Sequence, residues 1–166
     1  MKQLVLMRHA KSSWTDPACP DRLRPLNPRG LRDAPRMGQA LATWGYRFDG
    51  IVTSPATRAE QTACAVALAM DYPTQDIVRI EAIYEADAPI LWAVMGALDP
   101  SARSLCLVGH HPGLPDLLAR LTGDPPAHLP TAAVAVLALD IECWSERMPG
   151  VARLQRWACP RDLEKD

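Results

Sequence analysis

The sequence predicts an α/β domain built on a mostly parallel sheet, and three observations carry that prediction. Short apolar runs of strand length alternate with segments of helical period along the 166 residues. The first run, residues 3–8, is apolar without alternation, as a strand buried on both faces would be. The last two runs, 132–139 and 151–157, read as a connected pair closing one edge, which gives an otherwise parallel sheet an antiparallel edge strand.

Taken in order, residues 3–8 are the first strand. Residues 10–27 hold Pro17, Pro20 and Pro25 and no periodicity, so they read as a long loop of the kind that carries function. Asn27-Pro28 starts a helix, with an N-cap residue before a proline at the first helical position. That helix runs to Trp44 and stops at Gly45, with a kink or a late start expected at Pro35. Phe48 to Thr53 is the second strand. Ser54-Pro55 opens a helix to about Met70; Thr57 and Glu60 have capping-box spacing, so Thr57 is the other possible start. Ile77 to Ile80 is a short strand, Ile90 to Leu98 a helix and Ser104 to Val108 a strongly apolar strand. Gly109-His110-His111-Pro112-Gly113 breaks that strand. Leu114 to Leu121 is a short helix, and 122–130 is a proline-rich loop before the closing pair.

Composition bounds the function classes. Hydrophobic residues make up 48% of the chain, enough for a real core and against disorder. The length fits one domain, residues 1–166, with a charged tail at 160–166 expected to be loose. The formal net charge of -1 gives no reason to expect nucleic acid or an anionic membrane as partner. Phosphate binding would have to come from a local cluster of positive groups. No apolar run reaches the length of a membrane span, and Arg8 cuts the first run too early for a secretory signal. Cys19, Cys64, Cys106, Cys143 and Cys159 are odd in number and include no C-x-x-C pair. Reduced cysteines in a cytoplasmic protein are expected, rather than a zinc site or a disulfide framework.

In open parallel sheets, ligands bind outside the carboxyl ends of the strands. Three expected strand ends carry residues fit for an anion: Arg8-His9, then Ser54 with Arg58, then His110. The two arginines present rigid donor forks that match phosphate. Arg58 falls in the first turn of its helix, a poor place for a cation unless an anion is also there. His110 adds a third donor. His9 is then the candidate nucleophile. The neighbouring arginines would lower its pKa, and its second ring nitrogen needs an acceptor, most simply a backbone carbonyl. Attack on phosphorus gives a phosphohistidine that water cleaves, and the arginines already carry the neutralising charge that a metal would supply.

Leaving-group protonation is a separate requirement. An alkoxide is about as poor a leaving group as hydroxide, whose conjugate acid has a pKa of about 15.7, so an ester wants a general acid. Glu85, in Ile83-Tyr84-Glu85-Ala86-Asp87, is the candidate, with Asp87 in reserve. Imidazole, with a pKa near 6.5, demands far less. Ser12 and Ser13 either contact the phosphate or bond their own loop. Trp14 either covers the pocket mouth or packs on the loop. His111 rims the pocket, and Asp33 and Asp116 read as partners of their helix dipoles.

Met7-Arg8-His9-Ala10, Ser54-Pro55-x-x-Arg58-Ala59-x-Gln61-Thr62 and Gly109-His110, in that order, resemble the signature of the histidine phosphatase superfamily. That family includes the phosphoglycerate mutases and many phosphatases. Arg24-Pro25-Leu26-Asn27, Asp33-Ala34-Pro35-Arg36-Met37-Gly38 and Pro130-Thr131-Ala132-Ala133 are similar to its small SixA-like branch, the phosphohistidine phosphatases. The similarity runs from residue 2 to about residue 163. It implies a three-layer α/β/α fold of phosphoglycerate mutase type, with His9 as phospho-acceptor and Arg8, Arg58 and His110 as the phosphate pocket. It also implies no metal or other cofactor. Ala10 replaces the glycine common after the histidine, and Lys11 and Thr15 depart from the mutase-like pattern. The chain lacks the large insertions of bigger members. A shallow, open site suits a phosphorylated side chain on a protein. In the SixA-like branch the general acid is often absent, which leaves the role of Glu85 open.

The sequence thus points to a metal-independent phosphatase acting on phosphohistidine in a protein. Two alternatives stay open. One is a phosphatase of a small phosphorylated metabolite, such as a sugar phosphate or nucleotide, which requires Glu85 as acid. The other is a phosphate-binding module without turnover, which would have no use for the nucleophile. The oligomeric state is not legible in the sequence.

Overall fold

The structure, a computed structural model, describes residues 1–164. The elements are β1 (Lys2–Arg8), α1 (Pro28–Thr43), β2 (Gly50–Thr53), α2 (Thr57–Ala69), β3 (Val78–Arg79), α3 (Ala88–Gly96), β4 (Ser104–Gly109), α4 (Gly113–Thr122), β5 (Val134–Leu139) and β6 (Ala152–Ala158). They form one sheet in the order β3-β2-β4-β1-β5-β6. Strands β1 to β4 pair in parallel, β5 runs antiparallel to β1, and β6 runs antiparallel to β5. The antiparallel strand thus lies one place in from the edge.

Strand residues alternate between two cores, which is why these runs are apolar throughout. Val5, Met7, Ile51, Cys106, Val108 and Val136 pack beneath α1 and α2 with Met37, Leu41 and Val66. Leu4, Leu6, Val52, Leu105, Leu107 and Leu137 pack beneath α3 and α4 with Leu91, Met95 and Leu117. The result is the expected three-layer α/β/α arrangement. No helix among the described residues is long and apolar enough to cross a membrane.

Boundaries depart from expectation where tertiary contacts intervene. Asn27 caps α1 as expected, accepting from the Gly30 amide at 2.9 Å. That helix is unbroken at Pro35, and Leu31, whose carbonyl has no proline N–H to accept, is exposed. Helix α2 starts at Thr57, yet Glu60 turns away to Arg79 at 2.7 Å, so no capping box closes. Helix α3 starts at Ala88 because the Asp87 carboxylate caps the Ile90 amide at 3.0 Å. Strand β5 starts only at Val134, since Ala132 has φ 61 and directs its amide to the Arg8 and His9 carbonyls, each at 3.1 Å. The expected loose tail is corrected in part. Pro160–Glu164 form a 3-10 turn fixed by the Asp162 carboxylate on the Cys159 amide at 2.8 Å, while Lys165 and Asp166 lie outside the described residues.

The connectivity makes a crevice. The chain leaves β1 for β2 beneath one layer of helices and leaves β4 for β5 beneath the other. The carboxyl ends of the adjacent strands β1 and β4 therefore open between diverging loops. Two glycines hold those loops close. A Cβ on Gly30 would lie 2.2 Å from the Lys11 carbonyl oxygen, and one on Gly113 would lie 2.1 Å from that of Ala86.

Candidate active site

Arg8 ends β1, His9 follows it, Arg58 is in the first turn of α2 after β2, and His110 follows β4. The sheet register brings these to one place, with Arg8 opposite Gly109. The His9 amide donates to the Gly109 carbonyl at 3.0 Å. The next amide, that of Ala10, donates to Thr62 Oγ1 at 3.0 Å, and that hydroxyl donates to the Arg58 carbonyl at 2.7 Å. The turn after β1 is thereby tied to the helix that carries Arg58.

The His9 ring is buried, with Nδ1 at 2.7 Å from the Ala10 carbonyl oxygen. A carbonyl only accepts, so Nδ1 carries the proton and Nε2 keeps its lone pair. Burial lowers the His9 pKa to about 3. The Ala10 carbonyl opposes that shift, and His110, Arg58 and Arg8 add to it. Burial thus outweighs the arginines that the sequence points to. Burial likewise lowers His110 to about 4, with Arg58 next in weight. Its Nε2 lies 2.7 Å from Ser54 Oγ, which accepts from the Ala56 amide at 3.2 Å. Nε2 is the acceptor within reach of the Ser54 proton, so the pairing that uses that proton has the hydroxyl donating to Nε2 and leaves Nδ1 of His110 as the protonated nitrogen. The His9 and His110 ring centroids are 5.1 Å apart.

Among the described residues, the buried side-chain nitrogen and oxygen atoms without a hydrogen-bond partner are Arg8 Nε, Arg58 Nε and His110 Nδ1. Such atoms are rare because burying an unmet donor costs about 1–3 kcal/mol. Here all three are donors, and they belong to the residues at three converging strand ends. Arg8 is otherwise held by the Leu129 carbonyl, which accepts from Nη1 at 3.2 Å. The arrangement suits a compact anion with several acceptor oxygens beside His9.

One residue here was not anticipated. Asp21, in a 3-10 turn of the long loop, grips Arg58 with its carbonyl on Nη1 at 2.7 Å and its Oδ2 on Nη2 at 3.1 Å. Oδ2 also accepts from the Tyr84 hydroxyl at 2.7 Å, and Oδ1 accepts from Arg24 Nε and Nη2 at 3.2 and 3.1 Å. The Tyr84 bond, with Arg58 and Arg24, lowers the Asp21 pKa to about 2. Burial, then Asp21, raises Tyr84 to about 12. The misplaced cation of α2 thus has a protein counter-charge. The available signal was the i,i+3 spacing of Asp21 and Arg24 within the long loop.

The remaining expectations separate. The Ser12 hydroxyl accepts from Arg24 Nη1 at 2.7 Å, and Ser13 bonds the hydroxyl and amide of Thr15, at 3.0 and 3.3 Å. Both serve their own loop. Trp14 is exposed, with the Arg24 guanidinium 3.6 Å from its ring centroid. Glu85 is exposed at φ 55 in the turn after Tyr84, and Asp87 is committed to capping α3. His111 is exposed. Asp33 is not a dipole partner: it is buried among Arg29, Arg32 and Arg36 at 3.5, 3.1 and 3.3 Å. Among the described residues no cluster of three or more His, Cys, Asp or Glu side chains is placed to hold a metal ion.

Residues 4–90 match the family model described as histidine phosphatase superfamily (branch 1). An uncharacterized protein of Mycobacterium tuberculosis, Rv1276c, is 32% identical over 165 residues, covering 93% of this chain and all of its own length. The phosphohistidine phosphatase SixA of Escherichia coli is 29% identical over 140 residues, covering 83% of this chain and 86% of its own. A solved structure of the protein histidine phosphatase SixA complexed with tungstate superposes with a TM-score of 0.84 at 25% identity, covering 97% of this chain and 99% of that one.

Proposed function

This chain belongs to branch 1 of the histidine phosphatase superfamily, and from that premise we propose that it removes phosphoryl groups from histidine side chains of proteins, through a phosphoenzyme formed on His9. The observation that carries the reading is the set of three buried, unpartnered donors beside a histidine whose proton is committed to Nδ1. In the first step, the Nε2 lone pair of His9 forms a bond to phosphorus. The bond from phosphorus to the substrate nitrogen breaks, and its electron pair stays on the ring, which departs as neutral imidazole because its other nitrogen carries a proton taken from solvent. In the second step, water attacks phosphorus and gives its proton to solvent. The P–N bond to His9 breaks, releasing inorganic phosphate. Arg8, Arg58 and His110 would stabilise the equatorial oxygens in both steps.

The carboxylates near the site favour a leaving group that needs no protein acid. Asp21 is held ionised and Asp87 is spent on a helix end, so neither is fit to donate a proton. An imidazole protonated by solvent on its other ring nitrogen departs without help from a protein acid, whereas an alkoxide does not. One observation favours an ester phosphatase as second reading. Glu85 stands exposed on a left-handed backbone beside Tyr84, the kind of strained position that recurs at functional sites.

The test is a turnover screen of wild type, His9→Ala and Glu85→Gln on a phosphohistidine protein, sugar phosphates and nucleotides. Wild type is expected to release phosphate fastest from phosphohistidine, His9→Ala to be inactive, and Glu85→Gln to match wild type. Loss of ester hydrolysis alone in Glu85→Gln establishes the second reading. Phosphate binding without turnover on any compound defeats both.

A further inference from the structure

A separate cavity of about 270 Å³ opens between the first turn of α1, the segment 128–131, the end of β6 and the turn beyond it. Its lining includes Arg29, Arg161, His128, Thr131 and Trp157, residues whose side chains carry hydrogen-bond donors. Among the described residues no carboxylate lines it. In a chain of net charge -1, this donor set is a local concentration and not a general property of the surface. Arg161 is exposed and makes no ion pair with a described residue. Arg29 shares Asp33 at 3.5 Å, and Asp162 is engaged by the Cys159 amide at 2.8 Å.

Two features couple this cavity to the candidate active site. The segment that walls it also walls the phosphate pocket: the Leu129 carbonyl accepts from Arg8 Nη1, and the Ala132 amide donates to the Arg8 and His9 carbonyls. Strand β6 is also two places from β1, which puts the strand ends that border the two sites about 10 Å apart at the same end of the sheet. Three residues of extended chain span about that distance.

We propose that this cavity is a second anion subsite, which takes an aspartate or glutamate side chain lying about three residues from the phosphohistidine of a protein substrate. The inference rests on the reading of His9 as phospho-acceptor for a protein. Its contribution is to productive encounter and not to chemistry, because its donors do not touch the reacting atoms.

Three phosphohistidine peptides, with Glu, Gln or Lys three residues from the modified histidine, test it together with free phosphohistidine. Wild type is expected to favour the Glu peptide over the Gln peptide by roughly five- to tenfold in kcat/KM, carried by KM and weakened by salt. Arg161→Glu is expected to reverse the order of the Glu and Lys peptides while leaving kcat on free phosphohistidine unchanged. Equal kcat/KM for all three peptides, or an unchanged preference in Arg161→Glu, overturns the subsite. The NMR shift of the Trp157 indole N–H on adding the unphosphorylated Glu peptide gives a readout free of catalysis. Inactivity of wild type on every phosphohistidine substrate removes the reading of His9. A Trp157 shift that is lost in Arg161→Glu still supports the subsite, and the absence of any shift overturns it.

Discussion

Strand β1 carries a cation at each end, and the fold treats the two in opposite ways. Lys2 is buried, and its ammonium donates to the Pro100 and Ala102 carbonyls at 2.6 and 2.7 Å, with the Trp144 ring centroid 5.4 Å away. Nearby, the Asp49 carboxylate accepts from the Arg103 and Ser104 amides at 2.7 and 3.0 Å. At the other end Arg8, with Arg58 and His110, keeps buried nitrogens that no protein atom meets. A buried cation that protein carbonyls meet is scaffold; a buried set of nitrogens that no protein atom meets is built for something outside the chain. Volume does not make this distinction. A cavity of about 450 Å³ opens at the Lys2 end, where the buried charge is already satisfied.

The strongest test of that contrast removes an unfilled donor. Arg58→Ala is expected to lower kcat on phosphohistidine by roughly 10²–10³, the usual effect of deleting one preorganised donor to a developing oxyanion. Its urea midpoint should fall only modestly, because the deleted Nε meets no protein atom and the bonds lost are those to the Asp21 carbonyl and carboxylate. If instead the variant loses stability and each folded molecule keeps its turnover, the two ends do not differ in kind.

The mirror experiment is Lys2→Met. It strips donors from two carbonyls in a buried place and should cost about 1–3 kcal/mol in urea unfolding. Turnover per folded molecule should stay at the wild-type value. A fall in kcat at full occupancy of the folded state would mean that the Lys2 end also serves the chemistry.

The difference between the ends also marks what the sequence reveals. Arg8, His9, Arg58 and His110 stand beside strand ends and helix starts, so local punctuation is enough to propose them and the parallel topology to bring them together. Asp21 reaches Arg58 across 37 residues and Tyr84 across 63, from a loop without periodicity. No local pattern encodes those contacts. The same limit explains the shorter β5: Ala132 turns its amide toward the Arg8 and His9 carbonyls, which are remote in sequence. Asp33 shows the converse error, since counting from a helix start suggests a dipole partner where three arginines surround a buried carboxylate.

Asp21 sharpens the contrast, being a protein group that fills part of one donor set in the site and leaves Arg58 Nε unmet. As a positioning residue it should act on kcat. Asp21→Asn is expected to lower kcat about tenfold, equivalent to about 1.4 kcal/mol in the barrier. KM should not rise, because a negative charge beside the anion pocket has been removed. Ultraviolet titration supplies an independent check: Tyr84 should ionise below its present value of about 12 once the carboxylate is gone. A tenfold rise in KM with unchanged kcat would show that Asp21 contacts substrate and does not set the arginine.

The smallest effect follows from the two histidines. Both are buried with pKa values of about 3 and 4, against about 6.5 in the unfolded chain. Between those limits the unfolded state binds more protons than the folded one, so stability is retained above about pH 6.5 and declines as pH falls toward 4. A bound anion favours the charged form of each ring and raises both values. Binding of an anion should therefore draw protons from solvent between pH 4 and 6.5 and tighten as pH falls through that window. Sulfate, which does not titrate there, is the suitable probe. Calorimetry at pH 5 in buffers of different ionisation enthalpy should record up to two protons taken up per sulfate, and His110→Gln should reduce that number. Zero uptake would mean that both rings stay neutral when the anion is bound, so that His110 contributes a neutral donor and no charge.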